Sequence, residues 1–143
     1  MIIHYDGTMA GLLTVCLGTA SGAEVPTAIC CPPWPASDRV EEVAVIATEE
    51  SAAFALRTRI CRELSPRVYG NLRLAFLSGH PGIELFIWRY LALGWKLGSL
   101  LDCCQAHPDV HTVHCWARRA ILDGRRRREQ AGFEHPVELQ DAG

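Results

Sequence analysis

IELFIWRYLALGWKLGSLL, residues 83 to 101, is the stretch on which the fold turns. At about 1.5 Å per helical residue it could cross a bilayer's hydrocarbon layer. It carries Glu84, Arg89 and Lys96, however, and charges at that depth are costly. The segment therefore reads as a buried helix of a water-soluble protein, spanning residues 81 to 104. On a helical wheel Arg89, Ala92, Lys96, Ser99 and Cys103 share one narrow stripe. Trp88, Trp95, Tyr90, Phe86 and the leucines occupy the rest, so the helix is expected at the centre of the core with one seam in solvent. Gly94 and Gly98 mark a side where a neighbouring backbone could approach closely.

Upstream, the chain begins with IIHY (2 to 5), an apolar run closed by the turn signal Asp6-Gly7. Thr8 is placed to cap a helix running through MAGLLTVCLGTA to Gly22. EVPTAICCPPWPASDR holds four prolines between 26 and 35 and reads as an extended loop. VEEVAVIA (40 to 47) is rich in Val and Ile and reads as a second strand, parallel to the first through a right-handed crossover. Thr48 is the expected cap of a helix whose apolar positions are Ala53, Leu56, Ile60 and Leu64. Ser65-Pro66 caps and opens the next helix, and Ser78-Gly79 stops it. The fold class is thus a helix-rich α/β domain: a β-α-β unit with a two-stranded sheet, packed against four further helices. One globular domain is expected over 1–124, with a poorly ordered tail, basic and then acidic, over 125–143.

Downstream lies HPDVHTVHCWARRA (107 to 120), where His107, His111 and His114 fall close together near Cys103, Cys104 and Cys115. His107-Pro108 puts proline at the first helical position and histidine just outside. His107 would then not stack above His111, and a tetrahedral zinc site loses its first ligand pair. Val110, Val113, Ala117, Ala120 and Ile121 form the buried face, with His114 at its edge and His111 beside Arg118. Neither a metal nor any other cofactor is expected.

The chain of 143 residues is of single-domain size, and its formal net charge is −2. Of its 14 basic residues all but Lys96 are arginine, whose planar fork suits phosphate and carboxylate. A GC-rich genome would give the same bias. The 7 cysteines form no regular framework, and no secretory signal pattern precedes them. A reduced, cytoplasmic protein is the simplest expectation. The cluster Cys30-Cys31 would be reactive only if exposed, and packing is the commoner role. No phosphate-binding glycine loop, nucleophile elbow or iron–sulfur spacing occurs, and Glu84 and Asp102 have no evident partner in sequence. Arg118, Arg119, Arg125, Arg126, Arg127 and Arg128 lie within eleven residues, and with His111 they are the candidate nucleic-acid contacts, directed at phosphates. Asp123-Gly124 is expected to end or kink the helix between the two arginine groups. The other reading of this block is a solvated charge run.

The segments IIHYDGTMAGLLT, LAFLSGHPGIELFIWRYLALGWKLG and HPDVHTVHCWARR resemble, in order and spacing, a bacterial family described as DNA repair or DNA metabolism proteins. The resemblance covers about residues 1 to 122. It implies a radical-SAM partner that modifies or repairs DNA, and in some members a fused uracil-DNA-glycosylase-like domain. The family pattern continues with a segment like EAHRMKGF, then RF and a further half domain. Here RRRREQAGFEHPVE stands instead, and only Gly132-Phe133 agrees well. The resemblance therefore implies a truncated or diverged member, a non-catalytic DNA repair accessory able to self-associate. The alternatives are a glycosylase-like DNA repair enzyme whose active half is absent, and a remnant without activity.

Overall fold

Ile2–His4 forms β1, the middle strand of a three-stranded parallel sheet of order β2-β1-β3. The computed structural model describes residues 1–19, 25–34 and 41–134, with side chains as far as Arg127. β2 is Ala28–Cys30 and β3 is Val43–Val45, and Ile3 lies opposite Ile29 on one side and Ala44 on the other. The described residues form five α-helices: α1 Met9–Thr19 between β1 and β2, and after β3 α2 Glu50–Glu63, α3 Pro66–Leu77, α4 Ile83–Leu97 and α5 Pro108–Glu134. A 3₁₀ turn, Gly98–Cys103, links α4 to α5. The class is the helix-rich α/β expected.

The sheet has one strand more than the sequence reading gave. β2 lies inside the segment read as a proline loop. Pro26 and Pro32 both fall outside Ala28–Cys30, so no ladder donor is lost, and Ile29 is buried against the core. The N–H groups of Thr27 and Tyr5 tie the strands together, bonding to Met1 and Cys30 carbonyls. β3 bonds only to β1 among the described residues, and Val43 and Val45 are exposed along this edge.

Two threonines divide the capping differently from the sequence expectation. Thr8 caps α1 as expected, its hydroxyl accepting from Gly11 N–H at 3.0 Å. Thr48 does not cap α2; Glu49 occupies that position without a side-chain cap bond. The Thr48 hydroxyl instead donates to Asp6 at 2.5 Å, while the other Asp6 oxygen accepts from Thr8 N–H and Oγ1. Gly11 makes room for this cluster: a Cβ there would lie 2.3 Å from Asp6 Oδ1. The Thr48 bond, then those of Thr8, hold the Asp6 carboxyl below its ordinary pKa.

The central helix is shorter than residues 81 to 104. His80-Pro81-Gly82-Ile83 is a type II turn, with Gly82 at φ 79° and Ile83 N–H bonded to His80 O. Proline at 81 thus serves the turn rather than the helix. Gly98, at φ 60° and ψ −135°, ends α4. Between these limits Arg89 and Lys96 are exposed, as the wheel requires, and Ile87, Tyr90 and Leu91 are buried. Gly94 admits the side chains of Leu64 and Leu101, not a backbone. The core joins Ile3 and Leu12 to Leu56, Ile60, Leu72, Ile87, Tyr90, Leu101, Val110 and Val113.

α5 packs chiefly on α3 and α4 and runs unbroken past Gly124. The expected break at Asp123-Gly124 does not occur. A lone glycine costs a helix only about 1 kcal/mol against alanine, and arginine is a good helix former. The expected continuation of α1 to Gly22 and the acidic end from residue 135 lie outside the described residues. Among those residues no helix is long and apolar enough to cross a membrane.

Candidate functional site

An α-helix turns about 100° per residue, so the uninterrupted α5 fixes where each arginine points. Arg125 lies about 20° from Arg118 and two turns further on, about 10 Å along the axis. His111 sits about 20° to the other side of Arg118. These three share one line, and all are exposed. Arg119 and Arg126 form a second line about 80–100° round, and Arg127 faces about 180° from Arg118. Arg119 lies 3.9 Å from Asp123, a loose exposed pair. The Arg128 side chain is outside the described residues. The arginine block is therefore two short parallel tracks and an outlier, not a single patch.

The histidines diverge. His107 Nδ1 accepts from Asp109 N–H at 3.2 Å, as a cap does, and His111 Nε2 lies 3.4 Å from Cys115 Sγ on the exposed face. His114 Nε2 turns the other way, to Asp102 Oδ1 at 3.0 Å. Among the described residues no three His, Cys, Asp or Glu side chains meet in a metal-binding arrangement.

Asp102 is the partner that the sequence could not supply for His114. The same Oδ1 accepts from the hydroxyl of the buried Tyr90 at 2.7 Å. Burial first, then the bond to Asp102, pushes the Tyr90 hydroxyl above its ordinary range, so it stays protonated. The carboxylate accepts both bonds, which places the imidazole proton on Nε2. Asp102 and His114 line a notch of about 260 Å³ between α3, the 3₁₀ turn and α5, together with Arg67, Asn71, Gln105 and Arg118. Arg67, Asn71 and Gln105 were not singled out by sequence. They carry no motif and meet only because α3 packs against α5.

A second concavity, about 780 Å³, runs along β2 from Thr27 to Cys31 and past the end of β1 at Tyr5 and Gly7. Part of it lies at the carboxyl end of the sheet, where ligands of open α/β sheets characteristically bind. Its walls include Phe76, Phe86, His80 and the cysteines Cys30 and Cys31. At its base Glu84, buried in the first turn of α4, accepts from Tyr5 Oη at 2.9 Å. A helix N-terminus favours a carboxylate there. Burial and the Glu84 charge raise the Tyr5 hydroxyl's pKa, and the same two causes raise that of the Cys30 thiol. Cys30 is thus held as a thiol, against a nucleophilic role. Tyr5 and Glu84 stand 79 positions apart, and no local pattern announces the pair.

No family model, curated protein or solved structure matches this chain.

Proposed function

We propose that this chain is a non-catalytic accessory protein of DNA repair or DNA metabolism that contacts nucleic-acid phosphates through α5, in the cytoplasm and beside a radical-SAM partner. One observation carries the phosphate contact: α5 does not break at Gly124, so Arg118 and Arg125 stand in line on a rigid element with His111. Phosphate contact fixes position and orientation and carries no direct sequence information. Binding should accordingly be weak and insensitive to sequence. The radical-SAM partner, like the assignment to DNA metabolism, comes from the resemblance of the three quoted segments.

The test is a salt titration of affinity for single- and double-stranded DNA. If Arg118, Arg119, Arg125 and Arg126 each neutralise one phosphate, the log–log slope is about −3.6 on duplex. Affinity then falls about 150-fold between 50 and 200 mM salt. Gln at 125, 126, 127 and 128 should flatten the slope by about 2. Equal slopes for the two proteins would remove the block from the interface. Sedimentation at rising concentration tests the self-association that the resemblance implies.

A second reading, a glycosylase-like DNA repair enzyme, is favoured by the cavity along β2, whose lining includes Glu84. Base-release assays comparing wild type with Glu84→Gln test it, and an inactive wild type dismisses it for this chain.

A further inference from the structure

We infer that the notch between α3, the 3₁₀ turn and α5 is a binding site for a single phosphomonoester group. Arg67, from the first turn of α3, and Arg118, from the middle of α5, are exposed at its rim. Neither has an acidic partner within 4.0 Å among the described residues, so both guanidinium forks are available. Gln105 adds a neutral amide to the lining, as does Asn71, whose side chain also bonds the Tyr90 hydroxyl. The one carboxylate in the lining, Asp102, accepts from Tyr90 and contacts His114 through Oδ1.

Two guanidinium groups and two amides lining one notch suit an anion with several terminal oxygens. A carboxylate can satisfy one fork, whereas a terminal phosphate presents three oxygens and a second charge. The volume of about 260 Å³ falls below the roughly 300–1,000 Å³ of sites that enclose a drug-sized ligand. The occupant is therefore one group, with the remainder of its molecule outside. Two sources supply that chemistry: the phosphorylated end of a nucleic-acid strand, or a small phosphorylated molecule. The strand-end source rests on the phosphate-contact reading above, and in that case Arg118 is shared between the notch and the track. The site itself does not depend on that reading, because Arg67 belongs to α3 and lies off the α5 track.

The experiment titrates the full chain with one oligonucleotide carrying either a 5′-phosphate or a 5′-hydroxyl, and separately with inorganic phosphate. Wild type is compared with Arg67→Gln, Arg67→Lys, Arg118→Gln, the Arg67→Gln/Arg118→Gln double variant, and Gln at 125, 126 and 127. The 5′-phosphate should strengthen binding about tenfold, and Arg67→Gln should abolish that preference. Arg67→Lys, which keeps charge but loses the fork, should retain only part of it. The two glutamine substitutions should be non-additive, because they empty one shared site. The 125–127 variant should bind more weakly but keep the preference. Inorganic phosphate binding that needs Arg67, without a preference between oligonucleotides, supports the site with a small phosphorylated ligand. No preference and no Arg67-dependent phosphate binding overturns the notch, whatever the salt slopes show. Unchanged slopes in the 125–127 variant overturn the α5 track alone.

Discussion

Tyr5→Phe should destabilise the protein by about 2–3 kcal/mol, although it removes a single oxygen from a ring that stays in place. Tyr5 is almost wholly buried, and its hydroxyl donates to Glu84, whose residue is only 8% exposed. The substitution leaves a carboxylate out of water without that donor. An unsatisfied buried acceptor costs about 1–3 kcal/mol, and a charged one lies towards the upper end. For a chain of this size each kcal/mol moves the midpoint by about 2–4 °C, so Tm should fall by about 5–10 °C. Urea unfolding at pH 7 measures the same loss as a lower midpoint at unchanged slope. The asymmetry of the pair sharpens the test. Replacing both partners by apolar groups, Tyr5→Phe with Glu84→Met, removes the orphaned charge and should recover most of the loss. A single variant within about 0.5 kcal/mol of wild type, or a double variant worse than the single, would refute the account of Glu84 as a buried charge dependent on Tyr5.

Gly11→Ala, which in an ordinary helix gains up to about 1 kcal/mol, should here cost about 1–2 kcal/mol, because its Cβ would strike Asp6 Oδ1; urea midpoints decide the sign. Thr48→Val removes the largest cause of the lowered Asp6 pKa, so an NMR titration should find that carboxyl raised towards its ordinary value. A lowered folded-state pKa stabilises above the unfolded value, about 3.9, and the stabilisation disappears as pH falls through the folded one; the gap in stability between wild type and Thr48→Val should therefore be present at neutral pH and close in acid. Gly98→Ala should cost about 1–3 kcal/mol in thermal or urea unfolding, because φ 60° with ψ −135° suits no L side chain.

The features legible in sequence were those written at short range. Thr8, Ser65 and Pro66, Pro108 and the apolar positions of α2 all lie where spacing put them. The central helix was recognised through its charged seam, and Arg89 and Lys96 are its solvent-facing residues. Its ends were misplaced because proline and glycine have two uses. Pro81 and Gly82 build a turn, while Gly124 is absorbed into a helix long enough to carry it. β2 was hidden because three proline-free residues sat among prolines. Of the candidate site, the arginines of α5 were visible as composition, but their division into tracks depended on whether Gly124 broke the helix. The notch was not legible, since Arg67 and Arg118 come together through the packing of α3 on α5.

Among the described residues no strand pairs with the outer edge of β3, and this limits how two copies of this protein could join their sheets. A closed pair of identical chains presents the same surface twice, related by a two-fold axis. Two β3 strands meeting across such an axis would have to run in opposite directions, because a parallel ladder is staggered and cannot exchange equivalent bonds symmetrically. The joined sheet would then have six strands with a reversal of direction at its midline. A different chain donating an extended segment faces no such constraint and could continue the parallel order. The edge thus favours a foreign strand over a sister copy wherever the parallel direction is to be kept, and Val43 and Val45 are the side chains such a strand would cover.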